Sequence, residues 1–257
     1  TGSRDMTITA NRCAVLTALV TVLLALPVQA SINKSITIDA GATSDGASTV
    51  NGKVSVGAGA TVTGEVSSVN GSIRIEEGAT VADAETVNGG LRIADKVRSR
   101  NLSTVNGSID VARDVVVDGE VSAVNGRITI GGGSKVANDL GNVNGEIELE
   151  GSEVAGDVST VNGDIELADG AVVMGDLVVE KPGGSNSSNR TPRVVIGPGS
   201  RVEGVIRLER EVKLFISESA EVGGVEGAMT IDDAVRFSGK KTLIHSKLRL
   251  CQAQPDN

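Results

Sequence analysis

The chain has 257 residues, 39% of them hydrophobic, yet it holds no Trp, no Tyr and only two Phe. Large cores and stacking platforms for sugars or bases draw on aromatic rings, so neither is expected, and burial must fall to Val, Ile, Leu and Ala in β structure. The 24 Lys and Arg against 33 Asp and Glu give a net charge of −9, which argues against nucleic acid or an anionic membrane surface as a partner.

In chain order, residues 1–30 come first. Behind Met6 and Arg12 an apolar run, Ala14 to Leu26, leads to Pro27-Val28-Gln29-Ala30 and the polar Ser31. This is the layout of a secretory signal peptide, and cleavage is expected after Ala30. The run is short for a membrane span, and Cys13 lacks the context of a lipid anchor. A periplasmic or extracellular protein is expected, with a retained leader acting as a single anchor as the alternative.

Residues 31–180 repeat. Val-Asn-Gly occurs seven times, with Asn51, Asn70, Asn88, Asn106, Asn125, Asn144 and Asn162 spaced 18 or 19 residues apart. An apolar-polar-apolar triplet follows each one, as in Ile73-Arg74-Ile75, Ile128-Thr129-Ile130 and Ile165-Glu166-Leu167. Period two marks a strand with one buried face. A second motif, Gly-(Ala/Ser)-x-Val, often continues as x-Gly-x-Val or x-Gly-x-Leu, as in Gly59-Ala60-Thr61-Val62-Thr63-Gly64-Glu65-Val66. A third strand runs into the next Val-Asn-Gly, as in Val66-Ser67-Ser68-Val69.

Asn-Gly between alternating segments is also a hairpin signal, so an antiparallel meander competes. Constant repeat length favours the other reading: an all-β, single-stranded parallel β-helix of about ten coils, whose inner positions would lose register if a corner gained more than a residue. The seven Asn then form a column at one corner, bonded amide to amide along the axis. The neighbouring Gly is expected to supply positive φ at the bend.

Residues 181–193 are polar and rich in Gly, Pro and Ser, and read as a projecting loop. Residues 194–239 resume the coil pattern in degenerate form. They hold both Phe215 and Phe237, which are expected to plug the end of the hydrophobic channel as a terminal cap. Residues 240–257, with His245 and Cys251, have no repeat register and read as an irregular tail.

Catalytic chemistry has little to stand on. His245 is the sole histidine, no nucleophile motif surrounds it, and the two Cys belong to no metal pattern. The best polar cluster comes from stacking Glu146 and Glu148 over Asp164 and Glu166, about 4.8 Å apart between coils. Such carboxylates could hold a divalent cation such as calcium or act as a pair in glycoside chemistry. A solvated charged face is the plainer reading, and no other cofactor is expected.

The Gly-(Ala/Ser)-x-Val-x-Gly-x-Val runs, the aliphatic triplets, the coil near 18 residues and the lack of aromatics resemble bactofilins, the polymer-forming bacterial cytoskeletal proteins, over roughly Ser31 to Gly239. That resemblance implies a right-handed β-helix that assembles end to end without a nucleotide. Bactofilins usually lie in the cytoplasm or on the inner membrane's cytoplasmic face, whereas this chain carries a leader. Val161-Asn162-Gly163-Asp164-Ile165 also resembles the repeats of secreted adhesins. The reading is a non-enzymatic β-solenoid that self-assembles or scaffolds at the bacterial cell envelope, its partner another copy of itself. The alternatives are an adhesin or a binder of cell-wall or surface polysaccharide, and, third, a polysaccharide lyase or hydrolase on the acidic face.

Overall fold

The computed structural model describes residues 30–183 and 190–239. The expected leader up to Gln29, the tip of the 181–193 segment and the tail from Lys240 lie outside the described residues.

Each passage of the chain contributes three short strands, one to each of three parallel sheets. One passage supplies Ile73–Ile75 to the first face, Thr80–Val81 to the second and Asp83–Asn88 to the third. Among the described residues the sheets hold 11, 11 and 10 strands, and neighbours within a sheet are consecutive coils. On the first face Leu91 pairs with Ile73 on one side and Ile109 on the other. Every pairing is parallel, as expected for a β-helix and contrary to a meander. The period-two pattern sets what is buried: Ile73 and Ile75, Leu91 and Ile93, Ile109 and Val111 point inward and are almost fully covered, while Arg74 and Arg92 between them are exposed. The interior is a file of Val, Ile, Leu and Ala from Ile38 to Ile216. A ring in one coil would need matching space in the next, which close packing denies.

Positive φ at the Val-Asn-Gly corner is not what the structure has. Among those glycines only Gly145 has it. They are needed for space instead. A Cβ on Gly71, Gly89, Gly107, Gly126, Gly145 or Gly163 would overlap the carbonyl oxygen of the corresponding glycine one coil earlier. The left-handed position belongs to the other motif: Gly41, Gly59, Gly78, Gly133, Gly151, Gly170 and Gly199 adopt it, and Lys96 and Asp114 do so in the coils between, at φ 60° and 57°. L-residues are strained there by about 1–2 kcal/mol.

The coil tolerates a longer corner than expected. Ile165 pairs with Val194 and Leu177 with Ile206, so the strands on either side of residues 181–193 keep their register. Its described flanks fold back onto the corner: Arg190 and Arg193 both reach Asp164, and the Lys181 N–H donates to Glu209 at 2.9 Å.

The C-terminal end closes differently from expectation. Phe215 occupies an outward register position between inward Leu214 and Ile216, so it does not enter the channel. Phe237 is half-buried in the last strand, Val235–Phe237, in register with Ser217. Val225, Met229 and Ala234 of this last coil pack on the core.

These glycine roles separate in a mutational test. Gly107→Ala, which forces a methyl against backbone, should lower unfolding stability by about 3 kcal/mol or more, beyond the usual cost of overpacking. Lys96→Gly should leave stability unchanged or raise it by up to about 1 kcal/mol, because relief of strain offsets glycine's backbone entropy. Denaturant midpoints of the two variants check both.

Candidate functional site

The most regular polar feature is the corner that carries Asn. Each Asn Nδ2 donates to the Oδ1 of the Asn one coil earlier: Asn70 to Asn51 at 2.8 Å, Asn88 to Asn70, Asn106 to Asn88 and Asn125 to Asn106 at 2.9 Å each, Asn144 to Asn125 at 2.8 Å and Asn162 to Asn144 at 3.0 Å. All seven expected rungs stand in one column, and the column is longer than the motif shows. Asn51 donates at 2.8 Å to Asn33, whose sequence context, Ile-Asn-Lys, hides the equivalence. At the other end Lys181 stands where the next Asn would be, and the ladder is closed by Arg210, whose Nη1 donates to Asn162 Oδ1 at 3.1 Å. The same guanidinium bonds the Arg190 carbonyl at 2.9 Å, tying the returning segment to the ladder's end. All amide bonds run in one sense, so their dipoles add along the axis.

Beneath the ladder lies a second file that sequence reasoning missed. The residue two before each Asn points inward, and in the first four coils its hydroxyl donates to the backbone carbonyl at the Gly position of the preceding coil. Thr49 donates to Lys34, Ser68 to Gly52, Thr86 to Gly71 and Thr104 to Gly89, at 2.9–3.0 Å. In two later coils Asn142 bonds Gly126 at 3.3 Å, and Thr160 bonds Asn142 at 2.6 Å. These side chains are nearly fully buried, so each polar group finds its hydrogen-bond partner inside the protein. The signal was the Ser or Thr that recurs in Thr-Val-Asn-Gly, and Ala123 is the one position of the file without a donor.

A third file runs up the bend between the second and third faces: Glu65, Asp83, Asn101, Glu120, Asp139, Asp157 and Asp176 occupy successive coils. Several act as caps for the next coil's backbone. Asp139 accepts the Asp157 N–H at 2.9 Å, Asp157 the Asp176 N–H at 2.8 Å and Asp176 the Val205 N–H at 2.9 Å. Burial raises the pKa values of Glu65, Glu120 and Asp157. At Asp83 burial is outweighed by hydrogen bonds from Arg100 and Asn101, and its carboxyl lies below the ordinary value. Glu85, in the adjacent outward row, is pushed from 4.5 up to about 7 by burial and then by the charges of Glu65, Asp83 and Glu120.

The four carboxylates of the first face stack as expected, Glu146 beside Asp164 and Glu148 beside Glu166. They do not form an open acidic group. Asp164 is clasped by Arg190 and Arg193 at 2.7 and 3.3 Å, and Glu146 by Arg127 at 3.1 Å. Among the described residues no group of three or more His, Cys, Asp or Glu side chains is arranged to hold a metal ion. Further along this face a shallow open groove is lined by Arg74, Arg92, Asp110 and Thr129 over the small Ala94 and Ala112.

Comparison with protein-family models, with curated proteins and with solved structures gives no match.

Asn-Gly deamidates readily where the chain is flexible; here each amide is held by its neighbours. Deamidation at these sites, mapped by peptide mass, should be much slower in native than in denatured protein, and equal rates would refute a bonded ladder. Asn106→Ala breaks two rungs and should cost about 1–2 kcal/mol.

Glu85 sets a pH dependence. Its raised pKa means that folding favours the protonated form, so the stabilisation is complete below 4.5 and is lost as pH rises through about 7. Asp83 works in the opposite sense, with its contribution present above 3.8 and lost as pH falls through its lowered value. Glu85→Gln should therefore raise the Tm at about pH 8 and have little effect near about pH 4.5.

Proposed function

We propose that the protein is a non-enzymatic structural rod, exported to the bacterial cell envelope, where it scaffolds or self-assembles by stacking coil ends in a bactofilin-like manner. The observation that carries this reading is how its polar side chains are used. The Asn amides, the buried Ser and Thr hydroxyls and most of the acidic file bond from one coil to the next, and what they produce is length and stiffness.

The terminal coils supply the means of contact. The strand Ile36–Ile38 is an edge of the first-face sheet among the described residues. Ile36 donates to Lys53 and Ile38 accepts from Gly57. Alternation along a parallel strand therefore directs the N–H and C=O of Thr37 away from the stack. At the far edge lies Val235–Phe237, with Val235 54% exposed. Unpaired edges of this kind template another strand. The Asn ladder does not extend through such a joint, because Arg210 closes it; the contact is one of backbone and core. Export rests on the leader's sequence pattern.

Electron microscopy of the protein after leader removal tests the assembly. Filaments or end-joined rods are expected, and Thr37→Pro, which removes an outward N–H but no bond among the described residues, should abolish them while leaving the fold intact. Rods that stay single at every concentration would count against it.

A further inference from the structure

The end-on reading leaves one invariant of the repeat without a task. In Val-Asn-Gly the Val points out of the solenoid. On the third face Ala84 and Thr86 are inward and buried, whereas Asp83, Glu85 and Val87 are outward. Repetition turns this position into a ridge of Val50, Val69, Val87, Val105 and Val124, all half-buried, and Val143, 37% exposed. The interior has no use for these side chains, since the core is complete without them. Beside the ridge runs a row of short side chains, Ser67, Ser103, Ser122 and Ser159, interrupted by Glu85 and Gly141, while Ser48 at the start of the row is only 3% exposed. The result is a flat surface on which an apolar ridge lies next to a shallow furrow. It ends at the insertion, where Arg210 bonds the backbone of Val161 and that Val is only 6% exposed.

We propose that this face is a lateral docking surface for a second copy of the chain, the two rods lying side by side and parallel, valine ridge against serine row. The occupant is fixed by three features. First, a second copy carries the same repeat of about 4.8 Å along its axis, so ridge and row stay in step from coil to coil, with Glu85 the one long side chain in the way. Second, charge selects the orientation. Across the face the rows run acidic file, Ser, Val, Asn. A two-fold axis parallel to the rods sets Val against Ser and the acidic file against the Asn corner, whose amides spend one N–H in the ladder and keep the second to donate. The antiparallel arrangement would press acidic file on acidic file, with carboxylates already resistant to ionisation. Third, the area suits a reversible pair. Six coils at about 4.8 Å and a strand of about 18 Å cover roughly 500 Å² per copy, near the lower limit of a specific interface. A concentration-dependent dimer follows. This contact needs only the fold, so it stands or falls apart from end-on assembly.

Sedimentation equilibrium of the full chain, with the triple variant Val87→Thr, Val105→Thr and Val124→Thr and the single variant Glu85→Ser beside it, tests the proposal. Thr keeps the shape and the β-branching of Val, so the fold should survive, and denaturant midpoints verify this. Wild type should dimerise reversibly, the triple variant should weaken the dimer about tenfold or more by loss of apolar contact, and Glu85→Ser should tighten it by replacing the one long side chain that interrupts the serine row. A wild type that remains monomeric overturns the proposal. So does a dimer unaffected by the triple variant, which would assign association to the rod ends. Orientation is read by mixing Ser122→Cys with Val124→Cys, each with Cys13 and Cys251 replaced by Ser. Disulfides joining the two variants are expected, and disulfides formed only within each variant alone would exclude the parallel pair.

Discussion

Register between consecutive coils is the constraint on which the rest of this structure depends. Once each strand must lie about 4.8 Å above its equivalent, side chains at matching positions become neighbours whatever their chemistry. Apolar ones fuse into a continuous core, amides polymerise into a ladder, and carboxylates meet and repel unless something caps them. One rule thus produces the core from Ile38 to Ile216, the Asn column and the acidic file. It also explains the composition, since a narrow stacked interior accepts Val and Ile in every coil but has no place for repeated rings.

The corner at Asn shows how several weak devices secure that register. Gly leaves room for one backbone to press on another, and a buried hydroxyl satisfies the carbonyl thus enclosed. The exposed amide ladder then ties the outside. Each bond is modest alone, on the order of 1 kcal/mol, and the three act at one place in each coil. The corner beyond Glu180 shows what happens when the devices stop: Lys181 replaces Asn, and Arg210 terminates the ladder and bonds the Arg190 carbonyl. Register survives there because the two ends of the loop come back together. Fixed coil length is thus a habit of the repeat and not a requirement of the stack.

Much of this was legible in the sequence because repetition amplifies weak signals. One Ile-Arg-Ile triplet is ambiguous, but seven at constant spacing define a face. What escaped reading was whatever depended on contact between coils. The Gly of Val-Asn-Gly looks like a turn residue from its own neighbours, and only the carbonyl above it shows that its role is clearance. Asn33 was invisible because its motif is broken, though its coil position is intact. The acidic quartet stacks as its spacing predicts, yet the partners that neutralise Asp164, Arg190 and Arg193, come from the segment least bound by the repeat. Phe215 sits one position from the core-facing side chains on either side of it, and period two turns it outward.

The central claim is that whole coils are the interchangeable units of this protein. Deleting residues 89–106 removes one complete coil and rejoins Asn88 to Gly107, restoring Val-Asn-Gly with its ladder, hydroxyl and glycine files in line. Deleting residues 89–97 removes half a coil and sets strands of one face over corners of another. Circular dichroism with denaturant unfolding should find the first deletion folded as a shorter β-solenoid of nearly unchanged cooperativity, and the second largely unfolded. Equal tolerance of both deletions, or collapse of both, would contradict the account.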